Sequence, residues 1–121
     1  MKILHIGIHN SKNLNSGDTV LFELVRMTFD HFIGNINWSY QQLWENVDNQ
    51  TIEEWNTQFD AIVIGGGGLF LRDQKGAEKS VSGWQWNIST SHLAMIDIPI
   101  IIFAVGYNRF RGQKDFEPVF Y

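Results

Sequence analysis

Short apolar runs and longer mixed segments alternate along the chain. Ile3, Leu4, Ile6 and Ile8 flank His5 and Gly7, as in a strand buried on both sides. His9 to Gly17 is polar and predicts a loop. From Asp18 onward, Val20, Leu21, Leu24, Val25 and Phe29 (or Thr28) recur at three- and four-residue spacing. That spacing predicts a helix burying one stripe, with Asp18 suited to its positive end. Ile36, Trp38 and Tyr40 alternate with polar neighbours across Asn35 to Gln41, which predicts a second strand. Thr51-Ile52-Glu53-Glu54 has the form of a capping box and predicts a short helix from Thr51 to Thr57. Asp60 to Ile64 reads as a buried strand ending on four glycines, Gly65 to Gly68. Trp86, Leu93 and Ile96 give helical spacing between Gln85 and Ile96. Pro99 to Val105 predicts a last strand ending on Gly106.

Strands and helices therefore alternate. The expected fold is α/β, a Rossmann-like parallel sheet with helices on both faces, formed as a single domain over residues 1–121. In such sheets ligands sit at the carboxyl ends of the strands. Three strand-end segments are then the candidates for chemistry, and all three are expected on one edge. In the first, Asn15-Ser16-Gly17-Asp18, Gly17 permits close backbone approach and the helix start suits an anion. Asp18 opposes an anion there and suits capping, loop orientation or a hydroxyl instead. In the second, Gly65, Gly66, Gly67 and Gly68 precede Leu69-Phe70-Leu71-Arg72-Asp73. So many glycines carry an entropic cost, which makes sense where backbone passes close to a ligand or a neighbouring loop. Their spacing fits neither the dinucleotide fingerprint nor a Walker A loop. In the third, Asn108, Arg109 and Arg111 lie among aromatics, and guanidinium groups bind phosphate or carboxylate in bidentate fashion. His9, at a strand end, is a further substrate-binding candidate, whereas His5 within the strand is expected to be a packed histidine. Trp84 and Trp86 suit either a sugar platform or a helix anchor.

Composition narrows the classes. The chain has 121 residues, 44% hydrophobic and 18% charged, as expected of a globular domain. Its net charge of -4 gives no electrostatic reason to expect nucleic acid. With no cysteine, disulfides and thiolate metal sites are excluded. No His or carboxylate pair has metal-ligand spacing. There is no signal-peptide pattern and no apolar stretch near the ~20 residues of a membrane span. A cytoplasmic location is expected.

Three segments together resemble one family: Asn15-Ser16-Gly17-Asp18, Ile62 to Phe70 with its four glycines, and Pro99 to Tyr107. In this order and spacing they are similar to the N-terminal half of polysaccharide pyruvyl transferases. The resemblance covers nearly the whole chain. It implies one half of a glycosyltransferase-B-like architecture, with the site in a cleft between two domains. It implies transfer of pyruvate from phosphoenolpyruvate to two sugar hydroxyls as a ketal in surface glycan biosynthesis, with no cofactor besides the donor substrate. The family's second domain does not lie within these residues, so the fragment alone is expected to be inactive. Docking with that domain, or self-association through the apolar face it would cover, is expected. The chemistry needs a base, an acid and a cationic clamp. Asp18 is the catalytic candidate, with Asp73 and His9 as further proton handlers and Arg109 and Arg111 as clamp members. The alternatives are a non-catalytic sugar- or anion-binding module or remnant, and a domain of another glycosyltransferase.

Overall fold

A computed structural model describes residues 1–9, 16–70, 86 and 88–107. Four strands, β1 (Lys2–Gly7), β2 (Asn37–Gln42), β3 (Ala61–Phe70) and β4 (Ile100–Tyr107), form one sheet in the order β2-β1-β3-β4, and every pair is parallel. Three helices connect them: α1 (Ser16–Ile33), α2 (Asn49–Gln58) and α3 (Thr90–Ala94). The α/β alternation and the parallel sheet expected from the sequence are present, and the arrangement is consistent with a Rossmann-like fold.

The two-residue period of β1 and β3 divides their side chains between two cores. Leu4, Ile6, Ile62 and Ile64 point to one face, where Ile52 and Trp55 of α2 cover them. Leu93 of α3 packs against the same cluster. Trp86 is 1% exposed there, which makes it an anchor and not a sugar platform. Ile3 and Val63 point to the opposite face and meet Val25 and Phe29 of α1. Helices thus flank both faces of the sheet.

Three details differ from the sequence expectation. First, the buried stripe of α1 is turned: Val25 and Phe29 face inward as expected, but Phe22 is buried with them, whereas Val20, Leu21 and Leu24 are exposed. Inward positions 22, 25, 26 and 29 obey the same periodicity as the expected stripe. The chain had apolar residues enough for either, and packing of Phe22 on β1 decides between them. Second, α2 begins two residues earlier, capped by Asp48. Its carboxylate accepts from the Thr51 backbone N–H at 2.8 Å and from the Thr51 hydroxyl at 2.7 Å. Those bonds hold the Asp48 carboxyl below its usual range. Glu54 instead accepts from Gln50, one turn back, at 3.0 Å. Third, α3 is only five residues long, with Ser89 as its cap. Asn56 of α2 holds the next segment by donating to the Met95 carbonyl and accepting from the Asp97 N–H.

The outer strand β4 is apolar on both sides. Ile101, Ile102 and Phe103 are 37–48% exposed. Phe103 meets Phe29 edge-on at 5.3 Å, and the two line a cavity of about 300 Å³ with Thr28, Phe32 and Ile33. No helix among the described residues is long and apolar enough to cross a membrane.

Candidate functional site

The strand order fixes where a crevice opens. From β1 the chain moves outward to β2, then returns past β1 to β3 and β4 on the other side. The direction of winding reverses between β1 and β3, and ligands in open α/β sheets bind outside the carboxyl ends of strands at such a point. Because all four strands are parallel, the carboxyl ends of β1, β3 and β4 lie along one edge, as the sequence led us to expect of the segments that follow them.

His9 stands just past the end of β1, beside this reversal, and is 23% exposed. Its backbone is clamped by Gln42, at the end of β2. The His9 N–H donates to Gln42 Oε1 at 3.2 Å, and Gln42 Nε2 donates to the His9 carbonyl. Its ring lies between Phe22 (4.8 Å between centroids) and Tyr40 (4.9 Å), and its Nε2 is 3.2 Å from Glu23 Oε1.

Beneath His9 lies a second layer. His5 is fully buried and stacks flat on Phe22, with centroids 3.8 Å apart and planes within 4°. Its Nε2 is 3.1 Å from the Gly65 carbonyl oxygen, and its Nδ1 is 3.4 Å from Arg26 Nε. A guanidinium only donates. Nδ1 is therefore the accepting nitrogen, and Nε2 carries the proton that it donates to Gly65. Burial above all pushes His5 down to about 4. The Gly65 hydrogen bond opposes the shift, and the nearby Arg26 and His9 add to it. Arg26 lies over the Phe22 ring at 4.7 Å and near Trp38 and Tyr40, and donates to the Ser39 carbonyl at 3.3 Å. Burial lowers its pKa from the usual guanidinium value.

The strand expected to end on the glycines does not: Gly65 to Gly68 lie inside β3, which continues through Leu69 to Phe70 by pairing with β4. A Cβ on Gly65 would stand 2.0 Å from the Phe103 carbonyl oxygen of β4. Gly66 has φ +85°, and a Cβ there would meet the backbone of Leu21 and Phe22 at 2.9 Å. Both positions thus have a packing reason to be glycine, independent of any ligand. They let β3 pass against β4 and α1. Between Gly67 and Phe70 the β3–β4 register shifts, so the ladder becomes irregular toward the carboxyl edge.

Of the candidates named from sequence, the structure places His9 just past the end of β1 and Gly65 within β3 beside Gly7, with Gly66, Gly67 and Gly68 continuing along β3. Gly17 lies exposed in the first turn of α1. Asp18 follows it in the helix, but its side chain lies outside the described residues. Asn15, Asp73, Asn108, Arg109 and Arg111 also lie outside them. Sequence reasoning missed Glu23, Arg26 and Gln42. The signal for Gln42 was its place at the end of a strand beside the His9 strand. Glu23 and Arg26 sit among apolar Phe22, Leu24 and Val25 with nothing distinctive about their spacing. Only the rotation of α1 turns them toward β1. Among the described residues no group of three His, Asp or Glu side chains is placed to hold a metal ion. Comparison with protein-family models, with curated proteins and with solved structures finds no match to this chain.

Proposed function

We propose that this domain is the N-terminal half of a pyruvyl transferase-like enzyme of glycosyltransferase-B-like architecture. It acts in the cytoplasm, using phosphoenolpyruvate as donor and a sugar or glycan as acceptor. The observation that carries the proposal is His9, held at backbone and ring beside the β1/β3 reversal, on the edge that the family-like segments share. Proton transfer is needed at that edge, because a sugar hydroxyl must lose its proton to attack the donor's enol carbon. Asp18, Asp73, Arg109 and Arg111 remain part of the proposal from sequence alone. The apolar side chains of β4 belong to it as well, as a surface for self-association or for a second domain.

The test is a titration of the chain with phosphoenolpyruvate, followed through backbone amide signals. Saturable shifts confined to Gly7–His9, Gly17 and Gly65–Gly68 are expected. Shifts at the amino ends of the strands, or none at millimolar donor, contradict the proposal. The alternative of a non-catalytic sugar- or anion-binding module predicts the same binding with no phosphate released when acceptor and a second domain of the transferase type are supplied.

A further inference from the structure

We propose that Glu23 is a positioning residue that makes Nδ1 of His9 the proton-accepting atom of this site. The inference rests on the functional reading above for its substrate, a sugar hydroxyl, but its geometry stands without it. Glu23 Oε1 lies 3.2 Å from His9 Nε2. A carboxylate only accepts, so in the neutral ring the proton sits on Nε2 and the lone pair on Nδ1. Among the described residues no group is within hydrogen-bonding distance of Nδ1.

Everything else about His9 resists reorientation. Phe22 and Tyr40 flank the ring, and the two bonds to Gln42 fix the backbone that bears it. Glu23 is 52% exposed, and an ion pair that open contributes little to stability. Its effect is orientation, the part a carboxylate plays toward the histidine of a catalytic triad. His5, which stacks on the same Phe22 ring, cannot serve the same purpose, because both its nitrogens are engaged and it is sealed from solvent.

In the reaction, the acceptor hydroxyl bonds to C2 of the donor while its proton passes to His9 Nδ1. The methylene carbon takes up a proton and becomes a methyl group. The second hydroxyl then bonds to C2, the C2–O bond to phosphate breaks, and inorganic phosphate leaves with the bonding pair. The second hydroxyl's proton goes to solvent or phosphate. One proton is gained at carbon and two are lost from hydroxyls, so the ketal and phosphate balance without any oxidant or reductant.

The experiment is a long-range proton–nitrogen spectrum of the histidine rings in the full chain at pH 8.5, with and without Glu23→Leu. In the unaltered chain, His9 Nδ1 is expected to resonate as a bare nitrogen and Nε2 as a protonated one. In Glu23→Leu, both signals should move toward the averaged positions of a free imidazole. The His5 signals, held by Gly65 and Arg26, should stay fixed and report that the fold is intact. A protonated Nδ1 on His9, or a Glu23→Leu spectrum unchanged at His9, overturns the proposal. If Glu23→Leu fails to fold, the spectrum of the unaltered chain still decides. Phosphate release from phosphoenolpyruvate with a glycan acceptor, measured with a second domain of the transferase type supplied, separates this from the functional reading. Where the unaltered protein turns over, His9→Ala should lose about 10²–10⁴-fold in rate, and added imidazole should restore part of it. Absence of turnover with a second domain supplied counts against pyruvyl transfer alone, while the ring spectrum continues to judge the His9–Glu23 pair.

Discussion

The two faces of the sheet are built on different physical terms. Beneath α2 and α3 the packing is hydrocarbon and indole: Leu4, Ile6, Ile52, Trp55, Ile62, Ile64, Trp86 and Ile88. Beneath α1 a purely apolar patch of Ile3, Val25 and Val63 gives way to His5, His9 and Arg26 toward the carboxyl edge. A dry face needs only volume and apolar area, and tolerates many solutions of the right size. A face that buries an imidazole under a guanidinium needs each donor matched to an acceptor. That the demanding face leads to the β1/β3 reversal is what connects the core of this fold to its candidate chemistry.

The largest expected effect is on the dry face. Trp55→Ala should cost about 3–5 kcal/mol, read as a lower denaturant midpoint. It should do so equally at pH 5 and pH 8, because among the described residues no titratable side chain belongs to the cluster.

The α1 face should instead respond to pH. His5 falls from its ordinary value of 6.5 to about 4 in the folded chain. The unfolded chain therefore takes up the proton first as pH falls. The stability that His5 gives in its neutral form is complete above pH 6.5 and declines between 6.5 and about 4, with no further loss below. The span corresponds to about 3 kcal/mol. Denaturant midpoints across that window should fall for the unaltered chain and flatten in His5→Gln. An equal slope in both chains would remove His5 as the cause.

A smaller effect sharpens the comparison. Arg26→Met keeps the stem's packing but removes the bonds to His5 Nδ1 and the Ser39 carbonyl, together with the cation over Phe22. About 1–2 kcal/mol should be lost. Without that positive charge the acid transition of His5 should also move to higher pH, since Arg26 contributes to the depression. Nuclear magnetic resonance titration of the His5 ring checks this, and an unmoved transition would remove Arg26 as a cause of the depression.

The dry face was the more legible of the two in the sequence. Runs such as Ile62-Val63-Ile64 and Ile100-Ile101-Ile102 dictate strands, and their alternation with helices dictates a parallel sheet. His5 was legible as a packed residue because it interrupts such a run. The rotation of α1 was not, because Val20, Leu21 and Leu24 compete with Phe22 for the stripe that Val25 and Phe29 share. Only tertiary contact chooses, through the flat stack of Phe22 on His5 and the backbone of Gly66 against Leu21 and Phe22. The pairing of Glu23 with His9, fourteen residues earlier, follows from that rotation and has no signature in the spacing. The cap of α2 was misplaced for a local reason: Asp48 accepts two bonds from Thr51, which outcompetes Thr51 as a cap of its own.

The most direct test of the central claim is a crystal structure of the chain with phosphoenolpyruvate bound. The account predicts the donor at the carboxyl edge of β1 and β3, beside Gly7, His9 and the first turn of α1. A donor bound at the amino ends of the strands, or against α2 and α3, would contradict it.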